Sequence, residues 1–382
     1  MTIDRRTALS LMIAPLAARA GSAQGNQAPQ RPIDAPVDVE VPKPPTAFQS
    51  GGKTHLAYEL NLTSFSRAAC LLTRLEVMAN GQSIAGYAGA DFSKLVARPG
   101  VQAKDPLLVD GGSHAVIYVW ITLESGTATP AMLDHRLDMK VGDDPEEFHL
   151  ACASIPVRKG AVTIASPLRG DNWAALNGPG NASGHRRALI PVGGRAHIAQ
   201  RFAIDWVQLR DEGSTYTGDR LDNKNYRAYG NEVMAVADGT VVAVKDGIPE
   251  NVPGGRAVPI TLETVGGNHV ILDIGGGSYA FYAHLQPGKI RVKMGDRVRT
   301  GQALALLGNS GNSTEPHLHF HVCDANSPLA CEGVPYLLKS FSVVGEAAVK
   351  VENGAPKITV APTGAGSRTL EMVLQNQVMG FS

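Results

Sequence analysis

The chain has 382 residues, with 35 basic and 35 acidic side chains and a formal net charge of zero. No dense run of Lys and Arg is present, which argues against nucleic-acid binding because that class of protein needs a basic surface. Frequent Gly and Pro (42 and 24), 5% aromatic and 43% apolar residues are typical of a loop-rich β protein, and the length favours two domains.

The first residues have the pattern of an export signal, which we predict over residues 1–23. Arg5 and Arg6 precede an apolar run, Ala8–Ala18, that is too short to span a bilayer, and small residues follow it. The arginine pair is similar to a twin-arginine signal. This leader predicts an exported protein, periplasmic or associated with the cell envelope. No later segment is long or apolar enough for a transmembrane helix.

Residues 51–165 are predicted to form an immunoglobulin-like β-sandwich. Short alternating segments are separated by turn residues, as in "THLAYELNLTS", "LLTRLEVMAN", "HAVIYVWITLE" and "HRLDMKVG". No acid, base and nucleophile cluster here, which indicates a spacer or docking module. A Pro-rich linker at 24–50, extended rather than packed, is predicted before it, and a linker rich in Gly, Asn and Pro at 166–184 after it.

A second β-rich region is predicted over residues 185–345, with further strands or a tail at 346–382. Its strands are indicated by "VMAVADGTVVAVKDG", "NHVILDIGGGSYAFYAHL" and "DRVRTGQALALLGNSG", with Asp-Gly pairs and a Gly triplet as turn signals. The whole chain is therefore predicted to be all-β.

The stretch "EPHLHFHV" places His317, His319 and His321 at alternate positions of an apolar run. Side chains of a strand alternate between its faces, so the three imidazoles are expected on one side, about 7 Å apart along the chain. Asp205 lies between Ile204 and Trp206, where an unpaired carboxylate is costly to bury. A metal ion or an arginine partner would offset that cost.

With these stretches in view, residues 188–344 resemble the lysostaphin-type, or LytM-like, zinc endopeptidases of peptidoglycan. The resemblance is carried by "YAHL", "VKMGDRVRTGQALALLGNSGNSTEPHLHFHV", "YGNEVMAVADGTVVAVKDG" and "RFAIDWV". It implies a LytM-like antiparallel β-sheet domain that hydrolyses peptide bonds of peptidoglycan. It also implies zinc ligands at Asp205 and His319, and catalytic histidines at His284 and His317 that hold and polarise the attacking water.

One position departs from the family pattern. The resemblance implies a histidine ligand four residues before Asp205, and Arg201 occupies that position. A guanidinium stays protonated and has no lone pair for a metal. Four residues are candidates for the missing ligand. His321 shares the strand face of His319, and His197 lies in a segment, "HIAQ", that can fold back toward the cleft. Gln200 is expected on the opposite strand face from Arg201, and no local feature directs His185 to the site.

Two other functions stay open from the sequence. A salt bridge between Arg201 and Asp205 would give a catalytically inactive protein of the same fold that binds the cell wall or regulates another hydrolase. The hairpins are also similar to those of lipoyl or biotinyl carriers, but Lys245 and Lys293 lack the pattern that flanks a modified lysine.

The four cysteines fit an exported protein. Cys323 and Cys331 lie close enough in the sequence to close a short loop. Cys70 and Cys152 can form a second disulfide if their strands are neighbours, and sequence alone does not fix the pairing.

Overall fold

The structure, a computed structural model, describes residues 35–211, 213–352 and 355–382, with the side chains at 351, 352 and 355–357 left aside. The predicted export signal at 1–23 and the first part of the predicted linker at 24–50 lie outside the described residues. Within the described ranges, no helix has the length and apolar character needed to cross a bilayer.

The described residues form mostly strands, and the all-β prediction is confirmed. Besides the strands, the described ranges contain two short α-helices, α1 (Gly89–Ser93) and α2 (Gly184–Arg187), and one 3₁₀ turn at Asn223–Asn225. The strands in chain order are β1 (Val37–Glu40), β2 (Phe48–Ser50), β3 (Lys53–Ser64), β4 (Cys70–Ala79), β5 (Gln82–Ala88), β6 (Val96–Ala97), β7 (Leu108–Val109), β8 (His114–Leu123), β9 (Met132–Val141), β10 (Phe148–Pro156), β11 (Val162–Ile164), β12 (Gly170–Leu176), β13 (Ile190–Val192), β14 (Arg195–His197), β15 (Ile204–Gln208), β16 (Glu232–Met234), β17 (Gly239–Lys245), β18 (Asn268–Asp273), β19 (Tyr279–Leu285), β20 (Arg297–Val298), β21 (Ala303–Leu306), β22 (Leu318–Cys323), β23 (Tyr336–Leu338), β24 (Phe341–Glu352), β25 (Ala355–Ala361), β26 (Gly366–Arg368) and β27 (Gln377–Phe381).

The N-terminal part is a β-sandwich of two sheets. One sheet has the order β1-β3-β8-β6, with β2 also paired to β3, and the other has the order β10-β9-β4-β5, with β7 also paired to β4. Alternate apolar residues of both sheets share one core, as strand side chains of period two require, among them Leu60, Leu75 and Val119. The predicted strands therefore occur here, while the immunoglobulin-like topology stays a prediction.

The C-terminal part is built on one large antiparallel sheet with the order β20-β17-β18-β19-β22-β15-β12-β27-β24-β25, with β26 also paired to β24. The buried rings of Trp173, Trp206 and Tyr282 belong to its core. The same core contains Phe48 and Ala57 from β2 and β3 of the sandwich. The sandwich therefore packs directly against the large sheet.

Two segments predicted as linkers contain strands. In the linker predicted at 24–50, β1 and β2 both pair with β3, and Phe48 is buried. In the linker predicted at 166–184, β12 pairs with β15 on one side and with β27 on the other. Gly, Asn and Pro residues near these strands hide them in the sequence, and one partner of β12, β27, lies near the end of the chain.

The disulfide between Cys323 and Cys331 is present, as predicted. Cys70 and Cys152, for which the sequence leaves a second disulfide possible, are both free. Cys70 lies on β4 and Cys152 on β10, and β9 pairs with both strands and separates them.

Candidate metal centre

The centre begins with two neighbouring strands of the large sheet. β15 and β22 pair antiparallel, and Asp205 lies directly opposite His319. A carboxylate oxygen of Asp205 (Oδ1) lies 2.9 Å from His319 Nδ1, and the Asp205 side chain is 14% exposed. The sheet register thus brings together the two residues that the sequence predicts as metal ligands.

The two predicted catalytic histidines lie beside this pair. His317 directly precedes β22, and its Nε2 atom is 3.3 Å from Asp205 Oδ1. The His284 ring, on β19, is 4.8 Å from the His317 ring and 5.8 Å from the His319 ring, measured between centroids. All four predicted site residues therefore lie within one cluster.

His284 has an unusual backbone conformation. Its φ angle of 64° lies in the left-handed region, which costs a residue other than glycine on the order of 1–3 kcal/mol. The surrounding backbone holds it there, since the His284 amide donates to the Gly266 carbonyl at 3.0 Å. A conformation of this kind is typical of a functional position.

A third possible ligand comes from outside the sheet. His185 lies on α2, and its Nε2 atom is 3.4 Å from Asp205 Oδ2. Its ring centroid is 4.7 Å from that of His319. One ligand atom each from His185, Asp205 and His319 lie within 4.8 Å of one another. Of the candidates for the missing ligand, His185 is the one that meets the predicted pair, although no local feature of its sequence directs it there.

Hydrogen bonds behind His185 fix the orientation of its ring. Nδ1–H donates to the backbone carbonyl of Asn177 at 2.8 Å, which leaves the lone pair of Nε2 facing Asp205. The Asn177 side-chain amide also donates to Asp205 Oδ2 at 2.9 Å. Bonds of this kind commonly orient metal-ligating histidines. The sequence reasoning missed Asn177, and its only signal is a position in a Gly- and Asn-rich segment.

His321 lies behind His319 rather than beside Asp205. Its Nδ1 atom is 2.9 Å from His319 Nε2, and the ring is fully buried. Its other nitrogen, Nε2, has no hydrogen-bond partner within the described residues. The hypothesis that His321 itself replaces the missing ligand is therefore wrong. It instead fixes the ring of His319, whose Nδ1 atom faces Asp205.

The alternative of a salt bridge between Arg201 and Asp205 does not occur in the structure. Arg201 Nε donates to Glu59 Oε2 at 2.8 Å, and its Nη2 donates to Glu332 Oε2 at 2.7 Å. His197 is likewise directed to Glu332, at 3.2 Å, and so does not serve as a ligand. Gln200, the remaining candidate, lines the groove beside the centre.

The groove over this centre has a volume of about 260 Å³. Its walls outside the histidine cluster include Phe281, Arg256 and Leu329. Leu329 belongs to the loop that the Cys323–Cys331 disulfide closes. The centre is thus open to a ligand on one side and supported by the sheet on the other.

The protonation states suit metal binding. Burial lowers the pKa of His185 to about 4, which keeps this imidazole neutral near pH 7. Burial raises the pKa of Asp205, but the nearby His317 and His185 outweigh this effect and hold it well below its usual value. A neutral imidazole and an ionised carboxylate are the forms that bind a metal.

The two remaining histidines are shifted in opposite directions. Burial, with His317 and His319 nearby, holds the pKa of His284 well below its usual value. Burial also lowers the pKa of His317, but the Asp205 carboxylate more than offsets this and the pKa lies above its usual value. Burial therefore dominates at His284, and the Asp205 carboxylate dominates at His317.

A zinc ion fits this set of donors. Two imidazoles and one carboxylate are the kind of ligands that catalytic zinc sites use, with a fourth position left open. Zinc–ligand bonds of about 2.0–2.1 Å in a tetrahedron separate the ligand atoms by about 3.3 Å. The 3.4 Å between His185 Nε2 and Asp205 Oδ2 is close to that spacing.

Comparisons with known proteins relate part of this chain to a peptidase family. Residues 225–331 match the model of Peptidase family M23. The peptidoglycan DD-endopeptidase ShyB of Vibrio cholerae is 36% identical over 93 residues, which cover 24% of this chain and 21% of that protein. Lysostaphin of Staphylococcus simulans is 37% identical over 75 residues, which cover 19% of this chain and 15% of that protein. The matches thus span about a fifth or less of these relatives.

Among solved structures, the catalytic domain of lysostaphin from S. simulans is similar over 43% of this chain and 88% of that domain. The sequence identity is 23% and the TM-score is 0.24, which is too low to support a functional comparison. The family match covers β19 and β22, which carry His284 and His319, and also His317 directly before β22. Residues 225–331 of this chain are therefore a domain of Peptidase family M23.

Proposed function

We propose that this protein is a zinc-dependent endopeptidase that hydrolyses peptide bonds in peptidoglycan. His185, Asp205 and His319 would hold the zinc ion. The observation that carries the proposal is the convergence of these three side chains, with His284 and His317 beside them, in one open groove. A salt bridge that would block the centre is not supported, since Arg201 is directed to Glu59 and Glu332.

A zinc ion in such a site supplies a Lewis acid that acidifies a water molecule and polarises a carbonyl group. His284 donates Nδ1–H to the Ser310 carbonyl at 2.8 Å, so its Nε2 lone pair is free to accept a proton from the attacking water. His317 donates Nδ1–H to the Glu315 carbonyl at 2.8 Å and directs Nε2 into the cluster. A protonated His317 would stabilise the negative charge that develops on the carbonyl oxygen.

The names of the relatives support the substrate class. ShyB is a peptidoglycan DD-endopeptidase, and a second similar protein, from Staphylococcus capitis, is the glycyl-glycine endopeptidase ALE-1. We therefore propose peptide cross-links or stem peptides of peptidoglycan as the substrate. An exported, periplasmic or envelope-associated location follows from this substrate and from the predicted signal at 1–23.

The proposal is tested by metal analysis and by digestion of purified peptidoglycan. We expect about one zinc per chain, release of peptide fragments detected by mass spectrometry, and loss of both zinc and products in His319→Ala. His114→Ala is the matched control, because this histidine lies on β8 of the sandwich, in a different sheet from β15 and β22, and belongs to no cluster of possible metal ligands among the described residues. Absence of zinc together with absence of cleaved peptide bonds would contradict the proposal.

A further inference from the structure

Helix α2 carries two neighbouring residues that are directed to different parts of the molecule. His185 faces Asp205 in the candidate metal centre. Arg186 is fully buried, and its Nε atom donates to Glu59 Oε1 on β3 of the sandwich at 3.0 Å. Its Nη2 atom donates to the carbonyls of Tyr58 at 2.9 Å and Val119 at 2.8 Å. One side chain thus ties α2 to two adjacent strands of the sandwich.

Neighbouring residues reinforce this attachment. Asn181 donates its side-chain amide to the Tyr118 carbonyl at 3.0 Å and accepts a bond from Arg186 Nη1. Arg187 donates to the Lys94 carbonyl at 2.7 Å and stacks over the Tyr118 ring at 4.3 Å. The segment that contains His185 is therefore held mainly by the sandwich.

Glu59 joins this attachment to Arg201. Its two carboxylate oxygens accept from Arg186 and Arg201, and Glu59 is 3% exposed. Glu332 neutralises the second guanidinium, so two cations face two anions in this cluster. Arg201 and Arg186 thus share the buried carboxylate of Glu59. Arg201 occupies the position where the resemblance implies a histidine ligand, and Arg186 directly follows His185, the proposed substitute.

The physical consequence is that α2 has little freedom to move. A helix of four residues has no stability of its own, so packing and hydrogen bonds must define its position. Moving α2 away from the sandwich would take the buried Arg186 guanidinium from its carboxylate partner and leave Glu59 with Arg201 alone, which is unfavourable. The same contacts fix the direction in which His185 leaves the helix.

We propose that Arg186 and Glu59 are positioning residues of the metal centre: they hold α2 on the sandwich so that His185 reaches Asp205. The sandwich is then a structural part of the centre rather than a separate docking module. This inference rests on the proposed function in one respect, namely that His185 is a zinc ligand.

The test is a double-mutant cycle read by zinc affinity, with the full chain and a chromophoric chelator as competitor. Loss of a group that orients a ligand weakens metal binding by roughly 10–100-fold, and we expect this for Arg186→Gln. In a His185→Ala background the same change should alter the zinc affinity by less than about threefold, because Arg186 acts through His185.

Arg98→Gln is the matched control for a general loss of stability. Arg98 is also buried and donates to the His114 carbonyl at 3.1 Å and the Ser113 hydroxyl at 3.0 Å, within the sandwich. We expect it to lower the thermal midpoint and to leave the zinc affinity within about threefold of the parent value. If Arg186→Gln does not fold, Glu59→Gln takes its place in the cycle, since the amide keeps the shape of the carboxylate.

The outcomes separate this inference from the proposed function. Zinc affinity that is unchanged in the folded variant, or weakened equally in both backgrounds, overturns the positioning role while zinc binding by the parent chain stands. Failure of the parent chain to bind zinc overturns the proposed function itself. The inference is supported if Arg186→Gln weakens zinc binding only in the chain that retains His185, and if Arg98→Gln leaves the zinc affinity unchanged.

Discussion

Replacing Arg201 with histidine would restore the H-x-x-x-D pattern that the sequence lacks. On sequence grounds alone, this change should complete a metal site at Asp205. The structure predicts the opposite, because the Arg201 side chain is 3% exposed and directed to Glu59 and Glu332. We expect Arg201→His to destabilise the protein without raising its zinc affinity.

The size of the effect follows from the lost contacts. Arg201 donates to two carboxylates and to the Gly333 carbonyl, at 2.9 Å. Breaking a buried ion pair costs about 3–5 kcal/mol. Glu59 keeps Arg186 as a partner, and Glu332 is 17% exposed and keeps His197 at 3.2 Å. Both carboxylates therefore remain partly compensated, and we expect the lower end, about 3 kcal/mol.

Urea unfolding of the zinc-free protein measures this loss, and chelator competition measures the zinc affinity. Arg201→Gln is the control, because it removes the same charge without offering an imidazole. The two variants should have similar free energies of unfolding and similar zinc affinities. An Arg201→His protein that binds zinc more tightly than the parent chain, with stability unchanged, would refute this account of the site.

Three further changes test other parts of the structure. His321→Phe keeps a ring behind His319 but removes the hydrogen bond between the two side chains. The zinc affinity, measured by chelator competition, should therefore fall by roughly 10-fold or more. An unchanged affinity would contradict the role of His321. Burial raises the pKa of Glu59, but the Arg201 and Arg186 guanidinium groups outweigh this effect and hold the pKa below its usual value of 4.5. The ionised Glu59 therefore stabilises the folded protein fully above pH 4.5, and this stabilisation is lost as the pH falls through the pKa of Glu59 in the folded protein. Glu59→Gln should therefore be less stable near neutral pH and lose less stability on acidification in urea unfolding, and equal pH slopes would argue against this. The Cys323–Cys331 disulfide closes a loop with a sequence separation of 8, and its reduction should lower the free energy of unfolding by about 2–3 kcal/mol. An unchanged free energy of unfolding, with both thiols shown to be free, would contradict this.

The strands of the sandwich and the pair of Asp205 and His319 could be predicted because their signals are local. Alternation marks a strand such as β4, and motif order marks the two proposed ligands. The position of His185 could not be predicted, because it depends on a bond between Arg186 and Glu59, which are 127 residues apart. Strand β12 was missed for a similar reason, since its seven residues pair with β15 and with β27 near the end of the chain.

The range of the family match, 225–331, has a practical consequence. A fragment cut at those limits would contain His284, His317 and His319 but neither Asp205 nor His185, so it would lack two of the three proposed zinc-binding side chains. It would also end before β27 and β24 and begin after β12 and β15, which leaves the backbone of β22 unpaired on one edge. Unpaired edges of this kind promote association between chains. We therefore expect a fragment limited to residues 225–331 to aggregate and to bind zinc poorly.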